Sequence, residues 1–262
     1  MYTLGIDIGS TTSKAVILKD GSEIVASSIV VATVGTDGVS KALENVMKES
    51  GLTQADMACT VATGYGRQTY DGADYQVSEL TCHALGVHYV CPGARTVIDI
   101  GGQDAKVLSL NEEGRMINFV MNDKCAAGTG RFFEAMARAF EMDLTEFSRL
   151  SLQAKNVIPI TSQCTVFAES EVISLVGEGK PMDEIAAGIE LSVAKRCFVM
   201  SKKAGAAGSV TLTGGCAKNE GLKAAIEKVL KLKVTELPID PQLMGALGAA
   251  EFARQKGMAK EA

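Results

Sequence analysis

The sequence contains no tryptophan and only 5% aromatic residues, so its core must rest on Val, Ile, Leu, Met and Ala. It has no apolar run of about 18 residues, which a membrane-spanning helix would need. The segment after Met1 lacks a charged region and a cleavage site, so we expect no signal peptide. There is no Lys/Arg-rich run, and the net charge is -5, so nucleic acid is not expected as the main partner. The 262 residues, with 47% hydrophobic and 22% charged content, are typical of a globular protein.

A Cys-x-x-Cys pair is also missing, although the chain has seven cysteines. Its absence disfavours zinc fingers, zinc ribbons and simple ferredoxin-type sites. An odd number of cysteines without an export signal also argues against a disulfide framework. We therefore expect free thiols or metal ligation in a reducing cytoplasm.

One segment of the chain occurs twice, at an offset of 92 residues. The first copy runs from Gly5 to Lys14 and the second from Val97 to Lys106. Five positions are identical in the two copies: Ile6/Ile98, Asp7/Asp99, Ile8/Ile100, Gly9/Gly101 and Lys14/Lys106. Each copy predicts an apolar strand, a glycine-containing turn, a second apolar strand, a polar turn and a third strand.

The rest of the chain alternates predicted helices with predicted strands. Phe132, Met136 and Phe140 form a helical apolar stripe, and the last helix carries small residues suited to close packing. We predict helices at residues 39–50, 78–87, 130–140, 165–176, 183–203, 218–230 and 242–254, and further strands at residues 23–31, 57–63, 115–121, 209–213 and 234–236. The pattern indicates an α/β fold of two mixed-sheet halves that share a cleft. We place the first half at residues 1–95 plus 243–262 and the second at residues 96–242.

The two glycine turns are candidate phosphate-binding loops, because backbone N–H groups and hydroxyls in such turns can hold phosphate oxygens. In the first copy the candidates are Gly9, Ser10, Thr11, Thr12, Ser13 and Lys14, and in the second they are Asp99, Gly101, Gly102 and Gln103. Asp7 is suited to hold Mg²⁺ through water, and Gln103 to orient the attacking water. The alternative is a pair of ligand-free hairpin turns, each with an Asp supporting the loop.

Neither common nucleotide motif is present. The chain lacks Gly-x4-Gly-Lys-Ser/Thr, which excludes a P-loop, and it lacks a Gly-x-Gly-x-x-Gly after a strand. Gly214 and Gly215 follow a predicted strand and would let the backbone approach a flat base. A tight turn without a ligand explains the same two residues.

Three turns carry a resemblance to the acetate and sugar kinase/Hsp70/actin superfamily. They are the segments Asp7-Ile-Gly-Ser-Thr-Thr12, Asp99-Ile-Gly-Gly-Gln103 and Thr211-Leu-Thr-Gly-Gly215. Their order and spacing are similar to the phosphate-1, phosphate-2 and adenosine motifs of that superfamily. The resemblance implies an actin-like α/β fold with two ribonuclease-H-like halves, an ATP-binding cleft between them and closure on nucleotide.

Two cysteines stand apart from a generic kinase pattern. Cys125 and Cys164 are each expected directly before a helix, where the dipole and free N–H groups would stabilise a thiolate. Buried structural thiols are equally compatible with these residues. An iron–sulfur cluster needs about four ligands. Two chains on a two-fold axis, each with two cysteines, would complete one [4Fe–4S] cluster.

The whole chain from Tyr2 to about Ala253 resembles the activator family (component A) of the 2-hydroxyacyl-CoA dehydratases, BadF/BadG/BcrA/BcrD-type ATPases. The stretches Asn122-Asp-Lys-Cys-Ala-Ala-Gly-Thr-Gly-Arg131 and Cys164-Thr-Val-Phe-Ala-Glu-Ser-Glu171 carry the likeness. The ATP-binding subunits of benzoyl-CoA reductase are similar as well.

This resemblance implies a cytoplasmic homodimer in the amino-acid fermentation of an anaerobe, with one [4Fe–4S] cluster held by Cys125 and Cys164 of each chain. The cofactors would be the cluster, ATP/ADP and Mg²⁺, with Gly128 and Thr129 added to the nucleotide-binding residues. Reduced by ferredoxin or flavodoxin, such a protein passes one electron to a dehydratase (component D), driven by ATP hydrolysis.

Two other functions remain compatible with the residues. A small-molecule kinase of the same superfamily could use Asp99 or Asp104 as its base. A nucleotide-gated assembly or regulatory protein would need no redox centre. His83 and His88 are expected to be packing or surface residues rather than metal ligands. The turn at residues 63–67 is explained either as a wall of the cleft or as a plain strand end.

Overall fold

The computed structural model of the protein describes residues 1–162 and 164–261, without the side chains of residues 259–261. These residues form two compact units. The first unit contains Met1–Ala94, Leu110–Ile117 and Leu237–Ala262. The second contains Arg95–Ser109 and Asn118–Glu236.

The described part of the chain alternates strands and helices along most of its length. Its strands are β1 (Tyr2–Ile8), β2 (Thr12–Lys19), β3 (Glu23–Val31), β4 (Met57–Thr63), β5 (Tyr75–Gln76), β6 (Thr96–Ile100), β7 (Ala105–Leu110), β8 (Met116–Asn122), β9 (Val210–Thr213) and β10 (Val234–Thr235). Its α-helices are α1 (Gly38–Ser50), α2 (Glu79–Val90), α3 (Gly130–Ala139), α4 (Leu144–Leu150), α5 (Thr165–Gly177), α6 (Met182–Lys203), α7 (Glu220–Leu230) and α8 (Met244–Glu261). None of these helices has the length and apolar content needed to cross a membrane.

The two sheets have the same strand order. The first is β3-β2-β1-β4-β5 and the second, read from the other edge, is β8-β7-β6-β9-β10. In each sheet the first strand pairs antiparallel with the second, while the fourth runs parallel beside the first. The duplication seen over 10 residues in the sequence therefore extends to a whole five-stranded sheet in each unit.

Each unit has its own apolar core. In the first unit, Leu4, Ile6 and Ile17 pack with α1 residues such as Val46. In the second unit, the predicted stripe of Phe132, Met136 and Phe140 is buried, as expected from its helical spacing. Strands β1, β2, β6 and β7 are buried along nearly their whole length, which explains their continuous runs of apolar residues.

Small residues let α8 pack against the first sheet and α2. A Cβ on Gly248 would collide with the carbonyl oxygen of Cys82, and one on Gly5 would collide with that of Ala246. Ala249 is fully buried. The small-residue face predicted for the last helix is therefore a close-packing surface.

The helices differ from the predictions in several places. The short helix α4 was not predicted, although Asp143 caps it by accepting hydrogen bonds from the backbone N–H groups of Thr145 and Glu146 at 2.7 and 2.8 Å. The last helix continues to Glu261, beyond the predicted end at residue 254. The helix predicted from residue 218 begins only at Glu220, because Gly215–Lys218 forms a 3₁₀ turn first.

Candidate nucleotide site and cysteine pair

The first glycine turn joins β1 to β2 and carries a nearly buried ion pair. Lys14 Nζ lies 3.2 Å from Asp7 Oδ2, and the two residues are direct neighbours across the strands. The backbone N–H of Gly9 donates to the carbonyl oxygen of Thr12 at 2.9 Å and closes the turn. Lys14 thus binds Asp7 at the strand end, and removal of either partner would leave the other as an uncompensated buried charge.

The second glycine turn joins β6 to β7 and repeats this arrangement. Lys106 Nζ lies 3.3 Å from Asp99 Oδ2 and 2.8 Å from Asp104 Oδ2. The Thr213 hydroxyl donates to Asp99 Oδ1 at 2.9 Å. The backbone N–H of Gly101 donates to the carbonyl oxygen of Asp104 at 2.9 Å. Each turn thus pairs a lysine with a carboxylate at a strand end, and the second turn adds the carboxylate of Asp104.

The remaining turn residues differ in how open they are. Ser10, Thr11 and Thr12 are half-buried and Gln103 is exposed, so their polar groups are within reach of a ligand. Ser13, in contrast, lies inside β2 and is only 2% exposed.

The Gly214–Gly215 turn follows β9 and lies against the second carboxylate. Gly214 has φ +78°, and a Cβ there would lie 2.9 Å from Asp99 Oδ1. A 3₁₀ turn comes next, and Asn219 then caps α7 by accepting from the Leu222 N–H at 2.8 Å. The glycine is therefore required for packing on Asp99, whatever else the turn binds.

Helix α3 is fastened directly to the second glycine turn. The N–H groups of Gly130 and Arg131 donate to the carbonyl oxygens of Gly101 and Gly102 at 2.8 and 2.9 Å. The first N–H groups of a helix have no partner within the helix, so these two are available to bind the turn. Thr129 is fully buried, and its hydroxyl donates to the carbonyl oxygen of Ala126 at 2.6 Å. The turn and the loop that precedes α3 therefore form one connected piece of backbone.

The seven cysteines differ in their exposure to solvent. Cys125 and Cys164 are exposed, Cys91 is half-buried, and the other four are buried. Burial raises the pKa of three of the buried thiols, Cys82, Cys197 and Cys216, to about 12, so these thiols stay protonated. The two cysteines singled out by the sequence are thus open to a ligand and are not buried structural thiols.

The expectation that both cysteines stand directly before a helix is correct only for Cys164. Cys164 is the N-cap residue of α5, and its carbonyl oxygen accepts from the Ala168 N–H at 2.8 Å. Cys125 lies in the loop before α3, whose N-cap is Thr129. The expectation is wrong for Cys125 because the intervening Ala-Ala-Gly segment forms a turn, with the Thr129 N–H bonded to the carbonyl oxygen of Ala126.

Glu171, to which the sequence assigned no role, fastens the segment before Cys164. Its Oε1 accepts from the N–H and the hydroxyl of Thr161, both at 2.9 Å, and its Oε2 accepts from the Ser162 N–H at 2.8 Å. Burial raises the pKa of Glu171, but the hydrogen bonds from Ser162 and Thr161 outweigh it and lower the pKa to about 2. The carboxylate stays ionised and keeps all three bonds at neutral pH.

Among the side chains of residues 1–162 and 164–258, no group of three or more His, Cys, Asp or Glu is placed to hold a metal ion. Two exposed cysteines per chain fit a group that draws its ligands from two chains, which needs no such cluster within one chain. Helix α3, which follows the Cys125 loop, contacts α5, which begins after Cys164. The donor set of this unit is therefore suited to half of a [4Fe–4S] site.

A buried carboxyl in the second unit was missed by the sequence. Glu190 of α6 is 1% exposed, and its Oε1 has no hydrogen-bond partner within the described residues. Burial raises its pKa to about 8, against the opposing hydrogen bonds of Ser151 and Asn219. It is therefore largely protonated at neutral pH.

The sequence model of the BadF/BadG/BcrA/BcrD ATPase family matches residues 4–253. The chain is 51% identical over 253 residues to the 2-hydroxyisocaproyl-CoA dehydratase activator of Clostridioides difficile, a match that covers 97% of this chain and 95% of the relative. It is 48% identical over 257 residues to the (R)-2-hydroxyglutaryl-CoA dehydratase activating ATPase of Acidaminococcus fermentans, and 98% of each chain is covered.

Solved structures show the same likeness. The Clostridium difficile activator of the 2-hydroxyisocaproyl-CoA dehydratase with bound ADPNP has a TM-score of 0.95 at 49% identity, over 100% of this chain and 97% of that one. A ROK family glucokinase from Streptomyces griseus has a TM-score of 0.59 at 13% identity, over 97% and 100%, which shows a shared fold alone. The expected actin-like α/β ATPase fold is confirmed, and the small-molecule kinase alternative is the less supported function.

Proposed function

Because this chain belongs to the BadF/BadG/BcrA/BcrD ATPase family, we propose that it uses ATP hydrolysis to activate a 2-hydroxyacyl-CoA dehydratase by passing it one electron. The observation that carries this proposal is the exposure of Cys125 and Cys164, while the other five cysteines are buried or half-buried. A small-molecule kinase needs no such pair. The relatives' names add the class of enzyme that is activated.

ATP is held by the three glycine turns in this proposal. The ligands are the backbone and hydroxyl groups of Gly9, Ser10, Thr11 and Thr12, the Lys14 ammonium, and the residues Asp99, Gly101, Gly102, Gln103, Gly128, Thr129, Gly214 and Gly215. Asp7, whose Oδ2 lies 3.2 Å from Lys14 Nζ, holds Mg²⁺ through water. The exposed amide of Gln103 orients the attacking water. The two actin-like halves are residues 1–95 plus 243–262 and residues 96–242.

Cys125 and Cys164 of each chain hold one [4Fe–4S] cluster between two copies of the protein. When bound, the cluster supplies a one-electron redox centre of low potential. The free N–H groups at the start of α5 offset the negative charge of the Cys164 thiolate. Val166 and Phe167, which are 66% and 68% exposed directly after Cys164, support a surface that the second copy covers.

Nucleotide binding is coupled to the cysteines through backbone contacts within the second unit. The Gly101–Gly102 turn would hold phosphate oxygens on one side, and its carbonyl groups bind the start of α3 on the other. A change in this turn therefore moves the loop that carries Cys125. ATP can shift the arrangement only by the difference in its affinity for the two states.

The electron comes from ferredoxin or flavodoxin in this proposal, and the acceptor is the dehydratase. The protein would act in the cytoplasm, where reductants keep exposed thiols from forming disulfides.

The test is the iron and acid-labile sulfide content of protein purified without oxygen. We expect about four irons for two chains in the wild type and their loss in Cys125→Ser and Cys164→Ser. Cys91→Ser is the matched control, because Cys91 is the most exposed of the remaining thiols, and it should keep the iron. A colourless wild-type protein that resists reconstitution but hydrolyses ATP would refute electron transfer.

A further inference from the structure

The turn after β4 occupies the same place in the first sheet as the Gly214 turn in the second. Thr63 pairs with Asp7 across parallel strands, just as Thr213 pairs with Asp99. The residue that follows is Gly64 in one unit and Gly214 in the other. The Gly-Tyr-Gly-Arg segment at residues 64–67 is therefore the first unit's counterpart of a turn already assigned to the nucleotide.

Gly64 lies against the carboxylate of Asp7. Its φ is +87°, a value that favours glycine, and a Cβ there would collide with Asp7 Oδ1 and with the carbonyl oxygen of Ile8. Gly245 closes the other side, since a Cβ on it would lie 2.7 Å from Asp7 Oδ2. Both oxygens of this carboxylate are thus confined by glycines, while Lys14 binds one of them.

Two hydrogen bonds hold this turn in place. The Gly66 N–H donates to the carbonyl oxygen of Ile8 at 2.8 Å, which fastens the turn to the end of β1. Arg67 Nη1 donates to the carbonyl oxygen of Gly64 at 3.0 Å. The arginine therefore fixes the peptide that lies on Asp7.

We propose that residues 64–67 are a positioning element for ATP hydrolysis, in which Gly64 fixes the orientation of Asp7 and Arg67 fixes Gly64. The inference rests on the proposed role of Asp7 in holding the Mg²⁺ water. Arg67 and Gly64 act through Asp7, and they are positioning residues rather than catalytic ones. Since a misplacement of about 1 Å can lower a rate on the order of 100-fold, a small shift of this turn is enough to slow hydrolysis.

The first experiment compares two glycines of the same conformation. Gly64→Ala should lower kcat for ATP at least about 10-fold, while ADP binding without Mg²⁺ stays within about twofold. Gly35→Ala is the control, because Gly35 has φ +85° but no atom within 4 Å of an added Cβ. It carries the same backbone strain and should leave kcat unchanged.

A second experiment asks whether the effect passes through Asp7. In an Asp7→Asn protein, Gly64→Ala should change kcat little further, because the carboxylate whose position Gly64→Ala disturbs has already been removed. Arg67→Ala should lower kcat, and Arg67→Lys should recover most of the loss, since lysine can still donate to the Gly64 carbonyl group. These arginine variants keep the test available should Gly64→Ala not fold.

Wild-type kcat in Gly64→Ala, an equal loss in Gly35→Ala, or full additivity with Asp7→Asn would each overturn the inference while leaving the proposed function standing. A wild-type protein without ATPase activity would overturn both. A selective loss of kcat in Gly64→Ala that vanishes in the Asp7→Asn background supports the positioning role.

Discussion

Glu171 shows how a single carboxylate can shape the segment that carries a candidate ligand. Its three hydrogen bonds tie Thr161 and Ser162 to α5, and Ser162 is two positions before Cys164 in the sequence. These bonds are charge-assisted and are therefore stronger than bonds between neutral groups. The carboxylate therefore acts on the backbone of the two residues that come shortly before Cys164.

We predict that Glu171→Gln releases this segment. The side-chain amide nitrogen cannot accept the N–H that one carboxylate oxygen accepts, so the free energy of unfolding should fall by about 1–3 kcal/mol. Amide hydrogen exchange at Thr161 and Ser162 should become faster than in the wild type. The matched control is Glu169→Gln, two positions away on the same helix, which should leave both amides protected. Equal exchange in the two variants would contradict the prediction.

The sequence identified some of these residues and missed others for physical reasons. Asp7 and Asp99 were found because the repeat places each at a strand end before a glycine turn. Whether Cys125 and Cys164 are buried could not be predicted, since exposure depends on what packs around a loop. Glu190 looks like a solvent-facing helix residue in the sequence, and the packing of α7 and of the Ser151–Gln153 turn against α6 accompanies its burial.

At the scale of elements, the contact between α3 and the Gly101–Gly102 turn depends on the absence of a side chain. A Cβ on Gly130 would lie 3.1 Å from the Gly102 Cα and 3.3 Å from the Gly101 carbonyl oxygen. This is tighter than ordinary van der Waals contact, so an alanine would push α3 away from the turn. The sequence predicted both elements, but it gave no sign of the bonds between them.

We therefore predict that Gly130→Ala weakens the link between nucleotide and the Cys125 loop. In the wild type, an ATP analogue should slow hydrogen exchange in residues 123–131. In Gly130→Ala this protection should fall several-fold, while nucleotide still binds. Gly177→Ala is the control, because an added Cβ there meets nothing within 4 Å at the end of α5. Undiminished protection in Gly130→Ala would rule out this route of coupling.

At the scale of the whole molecule, much of the architecture could be predicted because it is repeated. Two short copies of one motif, each followed by strands, were enough to indicate two mixed sheets, and both sheets have the same strand order. The repeat also contains a pair of equivalent positions that cannot be recognised from the sequence. Thr63-Gly64 and Thr213-Gly214 occupy equivalent places, but their flanking residues differ and only the parallel pairing aligns them.

Glu190 makes the folding stability of the second unit depend on pH. Its carboxyl is buried beside Ser151 and Asn219, and a Cβ on Gly221 would collide with it. Its folded pKa, raised to about 8, exceeds the usual unfolded value of about 4.3. The folded state therefore holds a proton that the unfolded state releases between these values. The stabilisation is complete below about pH 4 and is lost as the pH rises through about 8.

We predict that the free energy of unfolding falls between pH 5.5 and 8 in the wild type, on the order of 1 kcal/mol per pH unit from this group. Glu190→Gln keeps the shape but cannot ionise, so its stability should change less over the same range. Urea unfolding of both proteins at several pH values measures the difference. The slopes must diverge in this direction, because only the glutamate must keep a proton to remain buried, and the unfolded state releases that proton as the pH rises. Parallel slopes would mean that Glu190 is ionised in the folded protein.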